Sequence, residues 1–284
     1  MFILKIGIIG GDLRVVELAK IFIDEGNELY TYGMDKSELK ATECENIKEV
    51  SIKTDFIISS IPFSKDNENI IAKFTDKKLI INKVLSEISG KKLICGNVSN
   101  DILNLAKSNN VEIIDLLKEE ELTILNAIPT AEGAIEIAMR ESDITLHNSN
   151  VLILGFGRIG KILAKMLQGI GANVYCEARK QEDLAWIEAY KYNTINLKDL
   201  EQNINKYDFI FNTIPNLILD KNKLKKVKKE CVIIDLASSP GGTDFEEASK
   251  LNLKAILALG LPGKVAPKTA AKYIKETIRK FFKE

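Results

Sequence analysis

Short unbroken apolar runs alternate along this chain with longer stretches in which apolar residues recur every three or four positions. Phe2–Ile9 is the first run, followed by Gly10-Gly11-Asp12 and a helical stretch, Leu13–Asp24, closed by Gly26. Glu28–Tyr32 reads as the next strand. Thr54–Pro62, Lys78–Ile81, Lys92–Cys95 and Val111–Ile114 continue the series, with Asp101–Ser108 as a helix between the last two. The later part repeats the scheme. Val151–Leu154 is a strand, and Ile159, Ile162, Leu163, Met166 and Leu167 follow at helical spacing up to Gly171. Asn173–Glu177, Tyr207–Pro215, Val227–Leu236 and a segment opening at Ala255 are further strands. Apolar runs this short, bounded by turn residues and alternating with helices, predict parallel sheets covered on both faces.

The two parts echo one another. TDFIISSIP at Thr54–Pro62 has a counterpart in YDFIFNTIP at Tyr207–Pro215, and each part opens with a strand, a glycine turn and a helix. In the later turn, Gly155, Gly157 and Gly160 have the G-x-G-x-x-G spacing. The first glycine permits a tight turn and the second lets backbone amides approach a pyrophosphate. The third lets the helix pack closely on its strand, and the helix N-terminus favours the phosphate charge. Gly155, Gly157, Arg158, Ile159 and Gly160 are therefore cofactor-site candidates. In the earlier turn the second and third positions are Asp12 and Val15. A carboxylate there repels a pyrophosphate, so that turn either holds a smaller ligand, with Arg14 as its anion contact, or is purely structural.

The fold class that follows is α/β, with two Rossmann-like doubly wound parallel-sheet domains joined by crossover helices. The expected divisions are residues 1–125, a bridging helix over 126–145, a cofactor domain over 146–265, and a C-terminal helix over 266–284 that packs back on the first domain. Ala271, Ile274, Ile278 and Phe281 form its apolar face. Pro129 fits the start of the bridging helix, with Ile135, Ala138 and Met139 along its stripe. Thr130 and Glu132 would then lie near the interdomain cleft. Glu132 serves there either as a partner of the helix dipole or in proton transfer.

An NAD site usually carries an acidic residue about 20 residues beyond the glycines, at the end of the second strand. Here that position is Ala178, followed by Arg179 and Lys180. Glu177 lies one residue earlier, where strand alternation turns it to the other side. A missing carboxylate and two added cations suit a 2′-phosphate, so NADP(H) is favoured over NAD(H). The alternative for Arg179 and Lys180 is a solvated loop pair.

Charge and composition narrow the partners. The 284 residues carry 40 basic and 40 acidic side chains, which argues against nucleic acid or an anionic membrane surface. No apolar run approaches the roughly 18 residues of a membrane span, and the chain reads as cytoplasmic. Cys44, Cys95, Cys176 and Cys231 lack metal-ligand spacing and read as buried or half-buried free thiols, so no metal site is expected. His147, the single histidine, precedes the fingerprint strand at the edge away from the ligand, which weighs against a hydroxyacid dehydrogenase with a histidine acid–base.

Two late loops bear further chemistry. DLASSPGGTDF at Asp235–Phe245 offers hydroxyls and bare amides from Ser238, Ser239, Gly241, Gly242 and Thr243. GLPGKVAPKTA at Gly260–Ala270 offers Lys264 and Lys268. Both lie at carboxyl ends of strands, where open α/β sheets bind ligands, although turn chemistry alone also accounts for their glycines and prolines. These stretches, with IGGD at Ile9–Asp12, IPTAEG at Ile128–Gly133, LGFGRIG at Leu154–Gly160 and NTIP at Asn212–Pro215, resemble the A subunits of dipicolinate synthases from spore-forming bacteria. The resemblance spans nearly the whole chain in order, and its two late loops are more specific than the glycine fingerprint.

The resemblance implies oxidation of a dihydrodipicolinate-type cyclic dicarboxylate to dipicolinate, in the mother cell during sporulation. It implies a smaller, flavoprotein-like B subunit of dipicolinate synthase as partner, within an oligomeric assembly. The two substrate carboxylates would take cationic or amide-rich contacts, with Arg14, Thr130, Ser238, Ser239, Gly241, Gly242, Thr243, Lys264 and Lys268 as candidates. Asn212–Pro215 ends the first strand after the sheet's midpoint, so it would run beside the nicotinamide, with Thr213, Ile214 and Pro215 as cofactor contacts. Proton transfer by a side chain would fall to Glu132, Lys264 or a hydroxyl. The alternatives are another dehydrogenase, of hydroxyacid or methylene-tetrahydrofolate type, and a non-catalytic nucleotide-binding regulatory subunit.

Overall fold

In the computed structural model, which describes residues 3–282, the chain divides into two compact units, Met1–Asn126 with Ala266–Glu284, and Ala127–Val265. The apolar runs become strands. The first unit has β1 (Lys5–Ile9), β2 (Glu28–Tyr32), β3 (Thr42–Glu43), β4 (Phe56–Ser59), β5 (Lys92–Cys95) and β6 (Glu112–Asp115). Its helices are α1 (Leu13–Asp24), α2 (Ile47–Lys53), α3 (Ile81–Glu87), α4 (Asn100–Ser108) and the start of α5 (Glu120–Arg140). The second unit has β7 (Asn150–Leu154), β8 (Asn173–Glu177), β9 (Asn193–Ile195), β10 (Phe209–Asn212), β11 (Val232–Asp235) and β12 (Lys254–Leu257). Between them run α6 (Arg158–Ile170), α7 (Gln181–Ala189), α8 (Leu197–Asn203), α9 (Lys221–Leu224) and α10 (Phe245–Lys250). After β12 come α11 (Leu261–Val265) and, back in the first unit, α12 (Pro267–Lys280).

Each unit holds one six-stranded sheet, ordered β3-β2-β1-β4-β5-β6 in the first and β9-β8-β7-β10-β11-β12 in the second. Every pairing within them is parallel. This is the doubly wound order in which ligands lie beyond the carboxyl ends of the strands, at the point where the winding reverses. In the second unit that point falls between β7 and β10. β7 and β10 are buried on both faces, with Val151, Leu152, Ile153, Phe209, Ile210 and Phe211 all at 0% exposure. α6 presents Leu163, Ala164 and Leu167 to one of those faces. In the first unit α12 packs along α1, placing Ala271, Ile274 and Ile278 in the same core as Val15, Leu18 and Phe22.

Several expectations change. The first strand begins at Lys5, and Phe2 lies outside the described residues. No strand forms over Lys78–Ile81. Ile80 makes only an isolated bridge to Asn69, its side chain is exposed, and Ile81 already opens α3. Pro129 lies inside α5 and does not start it. A helix interior normally disfavours proline because a hydrogen bond is lost. Here Ala127, Ala131, Ala134 and Ala138 carry a buried face past it, and Glu120 and Glu121 supply a favourable first turn. The run Val227–Leu236 shortens to a strand over Val232–Asp235. Phe281, the residue just past α12, is 37% exposed and stands outside the core that holds Ala271, Ile274 and Ile278.

Candidate active site

The fingerprint turn lies between β7 and α6. Gly155 takes φ +91°, and a Cβ there would lie 2.5 Å from the Thr213 hydroxyl. A Cβ on Gly160 would lie 2.1 Å from the Gly155 carbonyl oxygen, so strand and helix approach as closely as bare backbone allows. Gly157 is different. It is the N-cap of α6, and a Cβ on it would meet no heavy atom within 4 Å. No side chain caps α6, which leaves its first amides for an anion. Arg158 and Ile159 form the first turn, with Ile159 packed against the core.

The first unit resolves the same turn in the opposite way. Asp12 is the N-cap of α1, and its carboxylate accepts from the Arg14 backbone N–H at 3.0 Å. The same carboxylate binds the Arg14 guanidinium, with Nη2 to Oδ2 at 2.6 Å, and that guanidinium also donates to the Ile61 carbonyl. Both side chains are at least nine-tenths buried. The anion contact expected of Arg14 is thus corrected. Its charge is taken up by Asp12, which occupies the place a phosphate oxygen would need.

Glu177 ends β8 opposite Leu154 of β7 and is 2% exposed. Burial pushes its carboxyl above the ordinary range, while the nearby Arg179 charge and the Gly155 backbone N–H act against that shift. Glu177 is therefore directed at the glycine turn and is not presented to solvent, which corrects the expectation that strand alternation turns it to the other side. Arg179 and Lys180 are exposed at the entry to α7, and Lys180 pairs loosely with Glu182 at 3.4 Å.

Across the winding reversal, three loops are tied into one floor. The Thr213 hydroxyl donates to the carbonyls of Leu154 at 2.9 Å and Gly155 at 3.2 Å. Ile214 N–H donates to Asn212 Oδ1 at 3.2 Å, and Asn212 Nδ2 donates to the Ile214 carbonyl at 3.1 Å and to Asp235 Oδ1 at 3.0 Å. Asp235 also accepts from the backbone N–H groups of Ala237 and Gly242, both at 3.0 Å. Gly242 fits tightly, since a Cβ would lie 2.1 Å from Asn212 Nδ2. Asn212 and Asp235 are fully buried. The sequence placed Asn212 in the stretch beside the nicotinamide but gave Asp235 no role and did not pair the two. Their signal was a polar residue closing an otherwise wholly apolar central strand.

The remaining candidates fall into separate places. Ser238 and Ser239 are exposed, Ser239–Pro240 is a cis peptide, and Thr243 is buried with its hydroxyl unpartnered. Pro215 is exposed on its loop. Gly133 of α5 meets α11, where a Cβ would lie 3.1 Å from Val265 and 3.3 Å from Leu261, so the IPTAEG and GLPGKV stretches adjoin, with Lys264 exposed beside them. Thr130 is half-buried on α5. Glu132 is exposed and lines an open groove with Met139, Met166 and Ile170, beside the end of α6 remote from Gly157. The structure therefore does not bring Glu132 to the glycine turn. Lys268 is exposed in the first turn of α12, in the first unit with Arg14. His147 lies at the far end of α6, with Nδ1 3.0 Å from the Ile170 carbonyl oxygen. All four cysteines are buried free thiols, and Cys95, Cys176 and Cys231 are pushed upward in pKa by burial.

Residues 5–117 match the N-terminal domain of the dipicolinate synthase A subunit, and residues 130–240 match the NAD binding domain of D-isomer specific 2-hydroxyacid dehydrogenases. The dipicolinate synthase A subunit of Bacillus subtilis is 33% identical, over 99% of this chain and 96% of its own length. The crystal structure of the A subunit from Bacillus halodurans superposes with a TM-score of 0.89 at 30% identity, covering 99% of this chain and 98% of that one. The Bacillus subtilis structure gives 0.86 at 32% identity, covering 99% and 96%. The second unit is thus a nicotinamide-dinucleotide-binding, dehydrogenase-like domain, and kinship with proteins named as A subunits implies a partner subunit. Among the described residues no helix is long and apolar enough to cross a membrane. The chain belongs to the family of dipicolinate synthase A subunits.

Proposed function

We propose that this chain oxidises a dihydrodipicolinate-type cyclic dicarboxylate to dipicolinate with NADP⁺ as acceptor, together with a smaller B subunit in the mother cell of a sporulating bacterium. The observation that carries the cofactor half is the contrast between the two glycine turns. α1 is capped by its own Asp12 carboxylate, whereas α6 has no side-chain cap and open space at Gly157. The residues present fit a dinucleotide there. Gly157 and the first amides of α6 would hold the diphosphate, Arg179 and Lys180 the 2′-phosphate, and Thr213–Pro215 would border the nicotinamide.

Once bound, the nicotinamide supplies a hydride acceptor at C4. The chain's own part is to align the substrate ring, exclude water and hold two carboxylates. Aromatisation of the product supplies much of the driving force, so alignment outweighs acid–base strength among the demands on the protein. The Gly241 and Gly242 amides, expected to be bare, are already given to the Ser238 carbonyl and to Asp235, so this loop offers the exposed hydroxyls of Ser238 and Ser239 for the carboxylates, and Lys264 and Lys268 offer cations. The match to a hydroxyacid dehydrogenase domain favours a second reading, but His147 at the far end of α6 cannot act as its acid–base.

Equilibrium titration of the protein with NADP(H) and NAD(H), before and after Arg179→Ala, tests the cofactor assignment. Wild type should bind NADP(H) more tightly. The substitution should cost about 1.5–3 kcal/mol for NADP(H), the value of a hydrogen bond to a charged group, and little for NAD(H). Equal losses for both would remove Arg179 from the 2′-phosphate.

A further inference from the structure

Asp12, Glu177, Asp235 and Glu247 are the buried carboxylates of the described residues. Asp12 pairs with Arg14 and Glu247 with Lys221, while Glu177 feels the charge of Arg179. Asp235 alone has no cation, although it is 0% exposed. A buried carboxylate without a counter-charge is unfavourable unless hydrogen bonds replace its hydration. Here the donors are Asn212 Nδ2 and the Ala237 and Gly242 amides, each at 3.0 Å. All three are neutral, so the negative charge is held in place and left uncompensated.

The position of that charge gives it a use. Asp235 closes β11, the middle strand of the half-sheet β10-β11-β12. The diphosphate turn follows β7, and the adenosine ribose belongs to the end of β8. The nicotinamide half therefore lies over the carboxyl ends of β10 to β12. The oxidised ring carries a positive charge and the reduced ring does not, while the rest of the dinucleotide is the same in both. A fixed negative charge at this end of the sheet, shielded from solvent, would discriminate between the two forms.

We infer that Asp235 is an electrostatic positioning residue that makes the site select the oxidised over the reduced cofactor. This rests on the NADP reading above and gives it a direction. An oxidation needs its acceptor to displace the reduced form it has just produced, and Asp235 favours both entry of the one and departure of the other. Asn212 and the two loop amides hold the carboxylate in register and carry no net charge of their own.

The test is equilibrium titration with NADP⁺ and NADPH of wild type, Asp235→Asn and Asn212→Ser. Asp235→Asn removes the charge and turns one of two accepting oxygens into a donor, so the readout is the difference between the two forms and not the common loss, whereas Asn212→Ser keeps the charge and removes one donor. Wild type should bind NADP⁺ more tightly than NADPH. Asp235→Asn should erode that preference about tenfold, the size expected for one charge acting over roughly 12 Å at an effective dielectric of about 20. For a two-electron couple this is a rise of about 30 mV in the midpoint potential of the bound cofactor. Asn212→Ser should weaken both forms alike. Equal weakening of both forms by Asp235→Asn, or the same preference shift from Asn212→Ser, would overturn the inference and leave Asp235 a loop scaffold. Parity or NADPH preference in wild type would overturn it without any variant. Failure of wild type to bind either form would instead sink the proposed function.

Discussion

At Gly157 the chain leaves room it does not itself fill, and this separates folding from binding. No heavy atom lies within 4 Å of a Cβ placed there, and its φ is −81°. Gly157→Ala is therefore expected to melt within a degree or two of wild type, since Gly→Ala effects at unstrained positions are below about 1 kcal/mol. Cofactor affinity should nonetheless fall at least tenfold, because the methyl occupies the path of the diphosphate. A large loss of stability, or unchanged affinity, would contradict this role. Glu177 carries a second residue-scale prediction. Its carboxyl is raised in the folded state by burial, so folding favours the protonated form. The stability it contributes is full below the unfolded carboxylate range and is lost as pH rises through the higher folded value. Glu177→Gln removes that loss. Denaturant unfolding should show the variant gaining on wild type at pH 8 and not at pH 4, and an equal difference at both would refute the assignment.

Among the elements, α12 shows how unevenly one helix distributes its stabilisation. Ile274 is fully buried against α1, while Lys280 forms an exposed pair with Glu121. Ile274→Ala should destabilise by about 2–5 kcal/mol and Lys280→Ala by less than about 1 kcal/mol. The reverse ranking in urea unfolding would show that α12 is held by its charges. Elements were legible where one local pattern decided them. α6 could be read from five apolar residues at helical spacing and a closing glycine. β7 and β10 could be read as wholly apolar runs because both of their faces are covered. The misreadings share a cause, which is that local preference yielded to packing. Pro129 has the propensity of a helix start, yet the buried alanine face of α5 carries the helix past it. Lys78–Ile81 has strand composition, yet only Ile80 pairs, and with a single residue. The short edge strands β3 and β9 carry too few buried residues to leave a pattern.

At the scale of the whole molecule, two units with the same strand order have taken opposite courses at the same turn. In one, Asp12 and Arg14 satisfy the helix end internally, and in the other the helix end is left for a ligand. Asp12 in the sequence already pointed to this division, because the carboxylate and the turn it blocks are adjacent in the chain. The geometry of the glycine turn proposed for the diphosphate was legible for the same reason, since six consecutive residues build it. The hub of Asn212 and Asp235 was not, because its partners are separated by 23 positions and meet only through the parallel ladder of β10 and β11. The remaining substrate candidates are more scattered still, with Lys268 in one unit and Ser238–Thr243 and Lys264 in the other. The balance of 40 basic and 40 acidic side chains directs the search to a small ligand. The most direct measurement is nicotinamide absorbance recorded together with dipicolinate formation, using the chain, its smaller partner, NADP⁺ and freshly generated dihydrodipicolinate. Reduction of one NADP⁺ for each dipicolinate formed is the expected result. Dipicolinate appearing without any change in the nicotinamide would contradict the proposed reaction.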